Sequence, residues 1–205
     1  PRTVHLDIVD YPGEWLLDLP LMDQSYAVWS AGALAQAASD GRAGLAADWL
    51  AAAAAAEAGA AFDEAVAQSL AHSFTAYLGA ARAAGYSACA PGRFLLPGDL
   101  EGSPALTFAP LAKPGQTPRG CLWREMERRF DAYKAKVVKP FFHDHFARID
   151  RQIVLVDALG AINAGPRAVE DLRAAMADVL RAFRPGHNSW LSFLTGKRVD
   201  RILFA

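Results

Sequence analysis

The sequence contains no apolar run that approaches the length of a membrane span, for which about 18 or more residues are needed. The alanine stretch at 51–56 is short and ends at Glu57. Hydrophobic residues nevertheless occupy 53% of the 205 positions, which is enough for the core of one large domain or two small ones. We therefore expect a globular chain without a membrane span.

Cysteine is also scarce. The two cysteines, Cys89 and Cys121, lie in or beside a stretch rich in proline and glycine and lack the spacing of metal ligands. His143 and His145 do not have the i, i+4 spacing of a helical metal pair. We interpret the cysteines as packing residues and expect no metal site at the histidines. We also expect a cytoplasmic location, because unpaired cysteines suit a reducing compartment.

Positive charge is sparse in the first part of the chain. Residues 1–85 carry three Lys/Arg against ten Asp/Glu, whereas residues 118–151 carry nine against five. Because acids are interspersed among these cations and the net charge is −1, we expect no nucleic-acid partner. A basic helix at 122–139 suggests docking to an acidic protein partner or to the chain's own acidic first part, although a solvated helix face is the ordinary alternative.

A phosphate-binding loop of the form G-x-x-x-x-G-K-[ST] is missing as well. The nearest fragment is Thr195-Gly196-Lys197-Arg198, but Leu191 stands at the first glycine position and Arg198 at the hydroxyl position. Such loops cradle phosphates with backbone N–H groups. We therefore expect that this segment alone does not bind nucleotide tightly and is inactive by itself.

The most informative feature present is a turn after a strand-like segment. Apolar residues alternate over residues 3–9, and Asp10-Tyr11-Pro12-Gly13 follows directly. A strand that ends in Asp and turns through Gly three residues later can bring a carboxylate near Mg²⁺ and a backbone N–H near a terminal phosphate. The alternative is an ordinary sharp turn, in which the same residue types are common.

Helical patterns dominate the region after this turn. We predict helices at 26–38, 45–58 and 62–84, the second of them rich in alanine. Proline and glycine then punctuate 86–120 too often for a helix, so we predict a long connection with a short strand at 106–108. Connections of this length are often functional, which makes this one a candidate contact surface.

The last part of the chain predicts a parallel sheet. An amphipathic helix begins at residue 122, and Pro140 interrupts it or starts the next helix. Beyond it, the order is a buried strand at 152–157, a helix at 166–183 and a strand at 199–204. Asp157, like Asp10, would end a strand, at the edge where open parallel sheets bind ligands.

Several of these blocks together resemble the YcjX-like P-loop NTPases of bacteria. The blocks that carry the resemblance are residues 4–20, 133–134, 137–142, 150–157, 159–161 and 163–166. The resemblance implies an α/β fold, with a partial P-loop NTPase parallel-sheet core and a large, mainly α-helical insertion. Residues 1–15 and 150–205 would be parts of the nucleotide-binding core. Residues 16–149 would be the insertion, with the Pro/Gly-rich loop at about 86–120 inside it.

The resemblance also implies roles for single residues. Asp10, Tyr11, Pro12 and Gly13 would form a nucleotide-binding switch motif, with Asp10 near Mg²⁺ through water and the Gly13 amide facing the γ-phosphate. Glu14 stands where many small GTPases have a glutamine that orients the attacking water, and it is the candidate catalytic residue. Its carboxylate can accept a proton from water but would also repel the phosphate.

Two segments of the family pattern fall outside this sequence. The phosphate loop would precede Pro1, and the guanine-selecting Thr-Lys-x-Asp segment would follow Ala205, so we expect a central segment of a longer protein. We expect that protein to hydrolyse GTP with Mg²⁺, with ATP as the alternative nucleotide. Arg119 and Arg124 are candidate charge-stabilising arginines because they flank the long connection, and an exposed basic helix face is the ordinary alternative. The alternative function is a helical protein-interaction or regulatory module without catalytic activity of its own.

Overall fold

The computed structural model describes residue 5 and residues 7–146, 151–183 and 201–205. A 3₁₀ helix, Gly13–Asp23, comes first, and we name it the proximal helix. The α-helices and strands then follow in the order α1 Tyr26–Ala37, α2 Ala47–Ala55, α3 Glu64–Ala83, α4 Leu122–Tyr133, α5 Lys139–Phe146, β1 Arg151–Val154, α6 Ala158–Ala164, α7 Pro166–Phe183 and β2 Arg201–Phe204.

The three helices predicted before residue 85 are confirmed as α1, α2 and α3, with small differences at their ends. Two of them have side-chain caps. Ser25 accepts a hydrogen bond from the Val28 amide at 3.3 Å, and Asp63 accepts one from the Ala65 amide at 2.7 Å. Such caps satisfy N–H groups that have no partner inside the helix, so the starts of α1 and α3 are encoded locally.

Aromatic side chains hold the alanine-rich helices together. The rings of Trp29 and Phe130 stack at 4.8 Å between centroids, which joins α1 to α4. Trp49 on α2 stacks at 5.3 Å on Tyr77 of α3. Because an alanine buries little area, these rings provide much of the apolar contact between the helices.

The region 86–120 is irregular, as predicted, but the strand predicted at 106–108 is wrong. Pro104–Leu106 forms a 3₁₀ turn, and Ser103 caps it by accepting a hydrogen bond from the Ala105 amide at 3.2 Å. Proline in the first turn and a serine cap favour the helical turn over the extended chain. Phe108 and Leu111 are buried, so this connection contributes side chains to the core.

Pro140 is the second residue of α5, which confirms that it lies at the start of a helix. A π-helical turn, Lys134–Val138, joins the end of α4 to α5. Proline has no N–H to donate to the preceding turn of an α-helix, and a wider turn before it accommodates that loss.

The predicted strand–helix–strand order is present as β1, α7 and β2. The prediction that the first strand is buried over 152–157 is wrong, because β1 ends at Val154 and Ile153 is 64% exposed. The two strands pair in parallel, with Arg151 opposite Arg201 and Val154 opposite Phe204. Pro166 begins α7, as predicted. Helix α6 was not predicted, because the sequence favoured a turn there; Asp157 caps this helix by accepting a hydrogen bond from the Gly160 amide at 2.7 Å.

The first predicted strand, at residues 3–9, lies partly outside the described residues. His5 and residues 7–10 are described, and they do not form a strand. Ile8 is 81% exposed, and the described strands β1 and β2 pair with each other and not with this segment. A strand needs hydrogen bonds from a neighbour, so alternation of apolar residues alone did not produce one in this part of the chain.

Candidate functional site

The Asp10–Gly13 segment leads directly into the proximal helix. Asp10 and Gly13 are exposed, and the Trp15 amide donates a 3.1 Å hydrogen bond to the Pro12 carbonyl. Gly13 is the first residue of this helix. The first N–H groups of a helix have no acceptor within it and carry partial positive charge, so this end of the proximal helix suits an anion.

Tyr11 fixes the segment to the sheet and to α5. Its hydroxyl accepts a 2.7 Å hydrogen bond from the side-chain amide of Gln152 on β1. Its ring meets Phe141 edge to face at 5.7 Å between centroids. Burial raises the pKa of Tyr11 to about 12, so its hydroxyl stays protonated at neutral pH. Pro12, with φ of −58° and ψ of 127°, precedes the proximal helix.

Glu14 is held from two sides. Its carboxylate forms an ion pair with Arg82, which lies in the last turn of α3. Its backbone carbonyl lies against Gly92, at the start of the 3₁₀ turn Gly92–Phe94. A Cβ atom at position 92 would overlap that carbonyl, so only glycine allows this close approach of the two backbones.

Trp15 ties the proximal helix to the long connection. Its indole N–H donates a 3.0 Å hydrogen bond to the Leu96 carbonyl. The Arg93 guanidinium lies over its ring, 3.2 Å from the centroid, and Phe141 meets the ring edge to face at 4.9 Å. A cation over an indole face is favourable, so Arg93 and Trp15 stabilise this junction.

Asp18 is a buried carboxylic acid on the proximal helix. One oxygen accepts a 2.7 Å hydrogen bond from the Gly92 amide, and the other accepts one of 2.7 Å from the Tyr133 hydroxyl. Burial raises the pKa of Asp18 to about 7, although both hydrogen bonds and the nearby Arg93 charge act in the opposite direction. Sequence reasoning missed this residue, but an isolated acid between apolar residues at 16–21 was a signal for it.

A second acid, Asp171, is partly buried and joins the helical part to α7. One carboxylate oxygen of Asp171 accepts a 2.6 Å hydrogen bond from Arg42, which is 2% exposed. The other oxygen accepts hydrogen bonds from the Ser87 and Ala88 amides at 2.7 and 2.8 Å. Arg42 also donates to the Tyr77 hydroxyl at 3.1 Å. Asp171 therefore links three segments that lie far apart in the sequence.

The other sequence candidates have different surroundings. Arg124 donates to the Thr117 carbonyl at 2.6 Å, and Arg119 is exposed. Both cysteines are buried and unpaired, which confirms them as packing residues. His143 is exposed, whereas the side chain of His145 is outside the described residues. Within the described ranges there is no group of three or more His, Cys, Asp and Glu that could hold a metal ion.

In the part of the chain that the structure describes, no helix combines the length and the apolar character needed to cross a membrane.

A sequence profile of the YcjX-like family, DUF463, matches residues 1–205. The chain belongs to the YcjX-like family. The resemblance that its motifs indicated is therefore confirmed over the whole chain.

Curated members of the YcjX-like family show the same relationship. The chain is 40% identical over 212 residues to "Ras-like GTPase YcjX" of Shewanella oneidensis, which covers 99% of this chain and 44% of that protein. It is 38% identical over 211 residues to "Ras-like GTPase YcjX" of Escherichia coli, covering 99% of this chain and 45% of that protein. The chain thus spans less than half the length of these two relatives.

Proposed function

We propose that this chain is the central part of a Ras-like GTPase. Residues 1–15 and 150–205 would contribute to its nucleotide-binding α/β core, and residues 16–149 would form its helical insertion. The curated relatives with 40% and 38% identity carry the name Ras-like GTPase, which supports the proposal. Parallel pairing of β1 with β2 and the helices α1 to α5 between the two core segments agree with this division.

The observation that carries the proposal is the position of Asp10 and Gly13. Both are exposed, and Gly13 begins the proximal helix, where N–H groups suit an anion. In the proposed site the Gly13 amide would donate to the terminal phosphate, and Tyr11 and Pro12 would shape the turn. A carboxylate oxygen is a ligand type that Mg²⁺ accepts, so Asp10 fits a magnesium ion held through water.

Glu14 is the proposed residue that orients the attacking water. Its carboxylate is directed by the Arg82 ion pair and its backbone by the contact with Gly92. A Mg²⁺ ion held near Asp10 would supply neutralisation of the phosphate charge. GTP is the proposed nucleotide, and ATP is the alternative that a binding experiment distinguishes.

The proximal helix is the proposed route from the switch motif into the helical insertion. It packs against α7, the turn Gly92–Phe94 and the π-helical turn Lys134–Val138. Asp18 on this helix accepts hydrogen bonds from the Gly92 amide and the Tyr133 hydroxyl. A shift of the switch motif would therefore displace the turn Gly92–Phe94 and the end of α4. Elements with two discrete packed arrangements carry such coupling.

Nucleotide titration of the full-length protein tests the proposed function. With Mg²⁺ present, we expect preferential GTP binding by calorimetry, and we expect Asp10→Ala to weaken the binding and slow hydrolysis. Asp23→Ala is the matched control, because Asp23 is an exposed acid at the other end of the proximal helix. If the wild type prefers neither GTP nor ATP, or Asp10→Ala hydrolyses normally, the proposal is wrong.

A second candidate function is an interaction module that binds an acidic partner through the basic helix. This candidate is favoured by exposed cations on α4 and on the segment that follows α4, namely Arg128, Lys136 and Lys139. Arg129 is instead engaged inside the chain, because it pairs with Glu64 of α3 and with Glu125.

The test therefore reverses Lys136 and Lys139 and leaves Arg129 intact, since Arg129 contributes to packing. We would follow hydrolysis and self-association of the full-length protein by light scattering. A double reversal that changes neither quantity removes the support for this candidate.

A further inference from the structure

We propose that Arg82 is a positioning residue of the GTPase site, which pairs with Glu14 and cancels the carboxylate charge beside the phosphate-binding amide of Gly13. This inference rests on the proposed function and adds to it a residue from the helical part of the chain. It also accounts for how a glutamate is tolerated at a position next to a terminal phosphate.

The geometry brings the two side chains together from separate elements. Arg82 is in the last turn of α3, and Glu14 is the second residue of the proximal helix. The side chain of Glu14 is 20% exposed and that of Arg82 is 47% exposed, so the pair lies at the surface with the carboxylate on the inner side. Glu14 directly follows Gly13, so Arg82 pairs with the residue next to the proposed phosphate-binding amide.

The backbone contact with Gly92 gives the pair a fixed base. The Glu14 carbonyl lies so close to Gly92 that no Cβ fits between them. The backbone at Glu14 is therefore restrained by packing, while the direction of its side chain is set by Arg82. Such restraint from neighbouring elements is what a positioned catalytic carboxylate requires.

Two other cations, Arg42 and Arg93, have partners elsewhere in the described structure. Residues 1–85 contain three basic residues, of which Arg2 lies outside the described residues. Arg42 is bonded to Asp171 and Tyr77. Arg93 lies over the Trp15 ring, and its charge partly opposes the burial that raises the pKa of Asp18. Arg82 is thus the cation that the described structure pairs with Glu14.

Charge arithmetic predicts a selective defect when Arg82 is removed. An unpaired Glu14 carboxylate repels the terminal phosphate of GTP, and GDP lacks that phosphate. At the separations and dielectric of a partly exposed site, the repulsion weakens binding on the order of tenfold. Removing the carboxylate as well eliminates the repulsion, so Glu14→Gln in the Arg82→Ala background restores GTP binding.

The experiment is a double-mutant cycle on the full-length protein with Mg²⁺. Fluorescent GDP and a fluorescent non-hydrolysable GTP analogue are titrated against the wild type, Arg82→Ala, Arg82→Lys, Glu14→Gln and the Arg82→Ala/Glu14→Gln double variant. Arg173→Ala is the control, because Arg173 is an exposed helical arginine that pairs with Glu170. Unchanged GDP affinity shows that a variant is folded.

We expect Arg82→Ala to lose about tenfold in affinity for the GTP analogue relative to GDP. Arg82→Lys and the double variant should recover the wild-type ratio, and Arg173→Ala should keep it. If Arg82→Ala keeps the wild-type ratio, or the double variant shows no recovery, Arg82 does not have this role. Failure of the wild type to bind either nucleotide would instead overturn the proposed function, and this inference with it.

Discussion

The Tyr133 hydroxyl donates a 2.7 Å hydrogen bond to a carboxylate oxygen of Asp18, and both side chains are buried. The contact joins the proximal helix to the end of α4. It also places a titratable acid in the core, where the charged form is costly. The consequence is a stability that depends on pH.

We predict that the contribution of Asp18 to the stability of the folded protein falls as the pH rises towards neutrality. The folded pKa of Asp18 is raised from 3.8 to about 7, so between these values the folded state holds a proton that the unfolded chain releases. The contribution is fully present below pH 3.8 and is lost as the pH passes 7. Its slope is at most about 1.4 kcal/mol per pH unit.

Urea unfolding of wild type and Asp18→Asn at several pH values between 4 and 8 measures this slope. Asparagine does not titrate and keeps an acceptor for the Gly92 amide, so the variant should lose less stability across the window than the wild type. Asp23→Asn serves as control, because Asp23 is exposed. Equal slopes for wild type and Asp18→Asn would contradict the prediction.

A second prediction concerns the close backbone contact at Gly92. Gly92→Ala puts a methyl group into the Glu14 carbonyl, and overpacking of this kind costs about 1 to 3 kcal/mol of unfolding free energy. Gly79→Ala is a matched control in α3, where a Cβ would meet no atom within 4 Å. Alanine there should stabilise the helix by about 0.5 to 1 kcal/mol. Thermal unfolding distinguishes the two variants, and equal effects would argue against the contact.

The Asp171 cluster leads to a third prediction. Asp171→Ala leaves the buried Arg42 guanidinium without its carboxylate, and loss of one partner of a buried ion pair costs about 3 to 5 kcal/mol. Asp178→Ala removes an acid from an exposed pair with Arg181 on the same helix, for which about 0.5 kcal/mol or less is expected. Denaturant unfolding measures both; a small effect at Asp171 would mean that water replaces the lost carboxylate.

Local patterns predicted the helices well because their signals lie within a few residues. The start of α7 at residue 166 was predicted from the sequence, and the caps at Ser25 and Asp63 are residue types that favour helix starts, although they were not predicted. The proximal helix and α6 were missed. Proline lies inside the first, and glycine and asparagine interrupt the second, so local preferences favoured turns there.

The partners around the candidate site could not be predicted in the same way. The Glu14–Arg82 pair and the Asp18–Tyr133 hydrogen bond each connect residues that are distant in the sequence. These contacts depend on how α3 and α4 pack against the proximal helix. The periodicity of apolar residues in the sequence does not predict that packing. The sequence blocks that include the motif identified the family, whereas only the packed structure revealed which side chains support the motif.

The two contacts of Glu14 should leave different traces among relatives. Gly92 touches the backbone at position 14, so glycine should persist at 92 whatever side chain evolution places at 14. Arg82 pairs with the Glu14 side chain, so we expect the residues at positions 14 and 82 to change together. Where position 14 holds a neutral residue, position 82 should no longer require a positive charge. The residues found at positions 14, 82 and 92 in relatives would then distinguish a steric requirement at position 92 from a charge requirement at position 82.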